Sequence, residues 1–267
     1  MDTSSRLVER WDGRDYERHS SHQREWGGGL VAELPLRGDE RILDLGCGDG
    51  SLTRQLAALV PRGSVLGVDA APEMLEAARG KCGPNMVVER LDITDLHFEA
   101  EFDVVFSNAT LHWIHDHAAL PQQIHRALRP GGILRAQFGA DGNCPNLIEC
   151  VHRQMAIPPF AEALAGFRWP WYFPSLVDYE GLLGASPFAE WRAWTENRDR
   201  AFPTAEAIVG WIDNPSLIPF MQALPVDLRK PFRDGVVEAM LARTYQPDGT
   251  YLEQFRRTNV WARKAGQ

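Results

Sequence analysis

Between residue 41 and about residue 138, short apolar runs alternate with stretches of helical periodicity. RILDLG, SVLGVD, MVVERL, FDVVFS and ILRAQF read as strands, and SLTRQLAALV, APEMLEAARGK and ALPQQIHRAL read as the helices between them. The strands are apolar almost without interruption. A sheet with one wet face would alternate apolar with polar residues, so these runs predict a parallel sheet covered by helices on both faces. The expected fold class is therefore α/β, a doubly wound and mostly parallel sheet of Rossmann-like type. Gly131 and Gly132, after Arg129-Pro130, mark a stop before the last of these strands.

Beyond residue 140 the pattern changes, with prolines frequent and six of the nine tryptophans after position 165. Ser175 and Thr204, each following a proline, are placed as helix N-caps. FAEWRAWTENRD (188–199) and YLEQFRRTNVWARK (251–264) contain alternating stretches and read as strands. The segment between them reads as helices: TAEAIVGWID, SLIPFMQAL and DLRKPFRDGVVEAMLARTY. The expected organisation is an N-terminal helical segment (1–34), a core (35–140) and a remainder (141–267) holding the last strands and a helical cap, all in a single domain.

Composition narrows the function classes. The formal charge of −8 and the absence of a basic run weigh against nucleic acid as a partner. The N-terminus is polar throughout, and no apolar run reaches membrane-spanning length, so neither a secretory leader nor a membrane partner is expected. The four cysteines (Cys47, Cys82, Cys144 and Cys150) lack C-x-x-C spacing. They read as free thiols of a reducing cytoplasm, although Cys144 and Cys150 could pair.

The most informative stretch is ILDLGCGDGS (42–51). A strand ends near Asp44-Leu45, Gly46-Cys47-Gly48-Asp49-Gly50 forms the loop, and Ser51 opens a helix. Glycines there permit a sharp turn and a close ligand approach at the carboxyl end of the first strand, where doubly wound sheets bind nucleotides. Asp69 closes the next strand nineteen residues after Gly50, the place of an acid that grips ribose hydroxyls. Asp92 follows the third strand, where it could accept a hydrogen bond from an adenine amino group. A dinucleotide site would want G-x-G-x-x-G. Here the spacing is G-x-G-x-G with acids at Asp44 and Asp49, which repel a pyrophosphate and suit a ligand carrying ammonium and sulfonium charges.

Asp44–Gly50, Asp69, Asp92-Ile93 and the later LRPGGIL resemble the motif series of class I S-adenosylmethionine (SAM)-dependent methyltransferases over about residues 35–140. The resemblance implies SAM as cofactor and S-adenosylhomocysteine as product. It places the loop of Gly46, Cys47 and Gly48 beside the methionine moiety, and Asp69 with Ala70 at the ribose. Met74 would lie on the adenine, Asp92 and Ile93 at its edge, and Asn108 near the sulfonium. It also implies the sheet order 3-2-1-4-5-7-6 with the seventh strand antiparallel. The strand candidates at 188–199 and 251–264 fit the last two places.

FSNATLHWIHDH (106–117) follows the fourth strand. His112, His115 and His117 lack the i, i+4 spacing of a helical zinc site, and Asp116 reads as the N-cap of the following helix, so no metal is expected. His115 and His117 read as solvated residues. Trp113 has two readings. It is either a core tryptophan or, with its flat face and single N–H, a clamp for an acceptor with an apolar body and an anionic head.

Carboxylate-methylating enzymes of the juvenile hormone acid and salicylate types resemble this arrangement, with a His-Trp pair after the fourth strand and a glutamine from an N-terminal helix. The resemblance makes Gln23 and Trp113 partners for a carboxylate, His112 a positioning group or base, and Tyr16 and His19 residues that close over SAM. LHWIHDH, AIVGWID, LIPFMQAL and FRDGVVEAMLARTY resemble the trans-aconitate 2-methyltransferase family. That resemblance is looser, and a tricarboxylate would call for arginines that the sequence alone does not locate. GFRWPWYFPS (166–175) reads either as an apolar pocket wall or as cap core.

The expected function is SAM-dependent methylation of a small molecule, foremost a carboxylic acid. Transfer to carbon, nitrogen or a hydroxyl is the alternative and would need a base such as His112 or His19. An NAD-type oxidoreductase or a non-catalytic SAM-binding module are readings from other classes. The oligomeric state is open.

Overall fold

The computed structural model describes residues 21–266. These fall into two compact units. The first, formed by residues 21–141, 171–196 and 256–266, is built on a sheet; the second, formed by residues 142–170 and 197–255, is largely helical.

In the sheet unit the strands are β1 (Arg41–Leu45), β2 (Ser64–Asp69), β3 (Met86–Arg90), β4 (Phe102–Asn108), β5 (Leu128–Gly139), β6 (Glu190–Asn197) and β9 (Arg256–Arg263). Their order is β3-β2-β1-β4-β5-β9-β6, a seven-stranded sheet. The pairs β1–β2, β2–β3, β1–β4 and β4–β5 are parallel, while β5–β9 is antiparallel. The helices are α1 (Ser21–Ala32), α2 (Ser51–Leu59), α3 (Pro72–Arg79), α4 (Leu120–Ala127) and α7 (Leu176–Gly184). Those of the other unit are α5 (Pro145–Met155), α6 (Phe160–Ala163), α8 (Ala205–Trp211), α9 (Ile218–Ala223) and α10 (Val226–Thr244).

Alternate residues of β1 and β4 feed opposite cores, as both-face burial requires. Ile42, Val104 and Phe106 join Leu56, Leu75 and Met86 on one side, and Leu43, Leu45 and Val105 join Phe102, Leu111 and Ile124 on the other. Each fully buried side chain of this kind contributes about 1.5–3 kcal/mol. Ser175 and Thr204 cap α7 and α8, accepting from the Asp178 and Ala207 N–H groups at 3.2 Å each.

Two readings need correction. YLEQFRRTNVWARK is not one strand: Tyr251–Glu253 forms β8, which pairs with β7 (Arg200–Phe202) as a two-stranded sheet in the helical unit, and β9 begins at Arg256. Alternation continues across the break, so periodicity does not reveal it. Glycines 131 and 132 do not stop the chain before the fifth strand either. β5 runs from Leu128 through them, with a register shift opposite Phe102–Val104 and Gly131 at φ +78°.

Candidate active site

The loop after β1 is held by backbone bonds that leave little freedom in its residue types. Gly46 N–H donates to Val68 O at 2.8 Å, and Thr110 Oγ1 donates to Gly46 O at 3.1 Å. At φ +73° a side chain on Gly46 would be strained, and its Cβ would fall 2.0 Å from Thr110 Cγ2. Gly48, at φ +53°, has no atom of the described residues within 4 Å of where a Cβ would stand, which leaves its backbone open to a ligand on that side. Asp69 ends β2 with its carboxylate turned onto the loops, accepting from Gly48 N–H and Ala71 N–H at 2.9 Å each. Burial raises its pKa while those N–H groups oppose the rise.

Asp44 is buried and accepts from Thr53 Oγ1 at 2.7 Å, which fixes the first turn of α2 to the strand. Burial pushes its pKa up to about 7; the Thr53 bond opposes this and the Asp69 charge adds to it. Asp49 has another role from the one its place in the loop suggests. Its Oδ2 takes Lys81 Nζ at 2.6 Å and Ser51 Oγ at 2.7 Å, so its charge is neutralised within the fold. Asp44 and Asp69 are therefore the acids left to meet a cationic ligand, whose charge would draw their raised pKa values back down. Cys47 is buried, and desolvation beside Asp44 and Asp69 pushes its thiol far up, which makes it inert.

Past β3, Asp92 caps a short turn (Ile93–Asp95), accepting from Thr94 N–H at 2.9 Å. Ile93 is buried in the core, Met74 is buried on the first turn of α3, and Ala70 is exposed. Asn108 ends β4, and α1 passes close over it: a Cβ on Gly27 would stand 2.9 Å from Asn108 Nδ2 and 2.3 Å from Leu52 Cδ1. Gln23 lies on α1 three residues before Trp26. Tyr16 and His19 lie outside the described residues.

After β4 the chain turns through Ala109, a non-glycine residue at φ +56°, into the turn Leu111–Trp113. Leu111 and Ile114 enter the core, which leaves His112 and Trp113 half-buried at the rim. Trp113 meets His112 at 5.6 Å and the edge of Trp171 at 5.8 Å. His112 Nδ1 accepts from Gly139 N–H at 3.4 Å, its carbonyl accepts from Tyr172 N–H at 2.8 Å, and its ring lies 5.7 Å from Phe173. Desolvation first, then the Arg257 charge, hold its pKa well below the usual imidazole range. His112 is thus a neutral imidazole that accepts at Nδ1 and presents its proton on Nε2.

His117 is buried, not solvated. Its Nε2 bonds the carbonyls of Leu111 at 2.9 Å and Ile114 at 3.1 Å, tying down the turn that carries His112 and Trp113. Asp116 does not cap α4. It accepts from Ala118 N–H at 2.9 Å in the loop, and the helix starts at Leu120. The segment 171–173 forms a wall at His112 and Trp113, while Phe167 and Trp169 pack on Phe220 in the helical unit. The two halves of GFRWPWYFPS thus pack in different places, one on the turn that carries His112 and Trp113 and the other on Phe220. Sequence reasoning missed Arg257, which lies opposite Gly139 on β9 and whose guanidinium stands 5.7 Å from the Trp26 ring. No local motif marks it, because only the β5–β9 register brings it there.

This sheet order, with a glycine turn after β1 and an acid at the end of β2, is that of a class I SAM-dependent methyltransferase, and SAM is its cofactor. The two carboxyl groups and the open approach at Gly48 fit such a cationic ligand. The family described as "Methyltransferase domain" matches residues 42–132. The trans-aconitate 2-methyltransferase of Methylobacterium nodulans is 33% identical over 95% of this chain and 98% of its own. That of Azoarcus sp. is 32% identical over 92% and 96%. The chain belongs to the trans-aconitate 2-methyltransferase family of SAM-dependent methyltransferases. Among solved structures, the YcgJ protein of Bacillus subtilis superposes with a TM-score of 0.60 at 17% identity, over 91% of this chain and all of its own (100%). Phosphoethanolamine N-methyltransferase 2 of Haemonchus contortus in complex with SAM also gives 0.60, at 21% identity over 95% of this chain and 56% of its own. These likenesses carry the fold.

Proposed function

We propose that the enzyme O-methylates a small carboxylic acid, a reading supported by bacterial relatives named trans-aconitate 2-methyltransferase. The observation that carries this is the state of His112. With Nδ1 engaged by Gly139 N–H and the ring held neutral, Nε2 already bears a proton and cannot take one. A hydroxyl or ammonium acceptor would need a base there, whereas a carboxylate is ionised at pH 7 and needs none.

In this reading Trp113 and Gln23 hold the acceptor carboxylate through neutral donors, and His112 Nε2–H orients it. The loop of Gly46, Cys47 and Gly48 with Asp44 receives the methionine end, and Asp69 with Ala70 receives the ribose. Met74, Asp92 and Ile93 receive the adenine, Asn108 lies near the sulfonium, and Tyr16 and His19 close over the cofactor. SAM supplies an electrophilic methyl: the acceptor oxygen forms the new O–C bond as the C–S bond breaks, and the electron pair stays on sulfur. Alignment and exclusion of water are then what the residues contribute. The four free cysteines support a reducing, cytoplasmic location. No helix among the described residues is long and apolar enough to cross a membrane.

Isotope-labelled SAM with panels of carboxylic acids, phenols and amines tests the reading. A labelled product from an acid that mild base hydrolyses is the expected result. Base-stable label on a phenol or amine, with none on any acid, overturns it.

A further inference from the structure

Helix α1 carries Gly27, Gly28 and Gly29 in succession, the one run of three glycines in the sequence. Gly27 has a steric reason. A Cβ there would stand 2.3 Å from Leu52 Cδ1 and 2.9 Å from Asn108 Nδ2. Gly28 and Gly29 have no such reason. A Cβ on Gly28 would meet Gln55 Oε1 at 3.7 Å, an ordinary contact, and one on Gly29 would have no atom of the described residues within 4 Å. Both glycines lie inside the helix and neither stands at a positive φ, so alanine fits at each without strain. Each nevertheless weakens the helix about two- to fivefold relative to alanine.

The chain after the run is fixed to the sheet. Leu30, Val31 and Leu34 are buried with Ile42, Leu56 and Val104. Glu33 Oε2 accepts from Arg135 Nε at 3.0 Å, and that guanidinium is itself buried. Before the run, α1 leads past Asn108 at the end of β4, and the Trp26 ring meets the Arg257 guanidinium at 5.7 Å. A stiff helix anchored at residues 30–34 would hold its other half permanently over the end of β4. A cofactor bound there must enter and its product must leave. Two glycines between the halves let the backbone depart from helical φ/ψ at that point and no other.

We infer that Gly28 and Gly29 form a hinge in α1, about which residues 21–26 swing away from the end of β4 to admit SAM and release S-adenosylhomocysteine, while residues 30–34 stay on the sheet. This rests on the placement of SAM proposed above and is independent of the acceptor's class.

Hydrogen exchange at individual amides of the full-length protein, free and with S-adenosylhomocysteine, is the first test. In the free protein, residues 21–27 should exchange at least about tenfold faster than residues 30–34, and saturating S-adenosylhomocysteine should slow them at least about tenfold. The second test replaces Gly28 and Gly29 together by alanine. Opening must then unwind a stronger helix, so release of isotope-labelled S-adenosylhomocysteine should slow about 5–30-fold, with a higher melting temperature. Gly181→Ala on α7, where an added Cβ also meets no atom of the described residues within 4 Å, is the control: it should leave the release rate unchanged. A double variant of higher melting temperature that releases its ligand as fast as wild type would show two glycines merely tolerated in a rigid helix, and would overturn the hinge. Equal exchange in the two halves of the free protein would overturn it as well. Protection by S-adenosylhomocysteine with unchanged release sinks the hinge alone. Absence of that protection sinks the placement of the cofactor under α1 together with the hinge.

Discussion

A single indole N–H can hold a carboxylate without neutralising it, which is what an ionised nucleophile requires. Trp113→Phe keeps the ring that packs on Trp171 and removes only the donor. The expected loss is about 10–100-fold in kcat/KM for the acid, the worth of one hydrogen bond to a charged group, with SAM affinity retained in calorimetry. Asp44 makes a prediction of opposite kind. Its folded pKa of about 7 lies above the ordinary aspartate value of 3.8, so its contribution to stability is fully present below about pH 4 and is lost as pH rises through 7. The melting temperature of SAM-free protein should therefore fall from pH 5 to pH 8, and Asp44→Asn should flatten that slope. An unchanged slope would mean that Asp44 is ionised throughout. At this scale Asp44 and Asp69 are legible because strand ends have fixed places. Asp49 was misleading because its partner Lys81 is thirty-two residues away.

Elements in this fold are set by burial on two sides. Leu43 and Ile42 are adjacent in sequence yet belong to opposite cores, so neither face of β1 tolerates a cavity. Leu43→Ala should cost about 2–5 kcal/mol in denaturant unfolding without changing the residues of the site. Helix α1 is bound differently. Trp26 stands over Arg257, Glu33 meets the buried Arg135 at 2.9 Å, and Gly27 lets the helix approach Leu52 and Asn108. Gly27→Leu should push α1 away from the end of β4 and weaken SAM binding at least about tenfold, read by calorimetry, while the sheet remains folded by circular dichroism. The sheet elements follow from their apolar runs. The break between β8 and β9 does not, because both halves carry strand-like alternation and differ only in their partners.

The whole molecule links binding to stability. A cofactor that binds only the native state should raise apparent stability by about 2.7 kcal/mol at a hundredfold excess over Kd. SAM should therefore raise the melting temperature of the wild-type protein, and Gly46→Ala, whose added Cβ meets Thr110, should lose much of that rise. The chain alone determined the parallel strands β1 to β4, the acids at their carboxyl ends and the glycine turn after β1, because these depend on local periodicity and on residues close in sequence. The tertiary structure decided which charges were already spent, as at Asp49 with Lys81, and which histidine was buried, as at His117 under Leu111 and Ile114. It also brought Arg257 level with His112. That proximity depends on the antiparallel register of β9 on β5, a pairing between residues more than a hundred positions apart that no local pattern encodes.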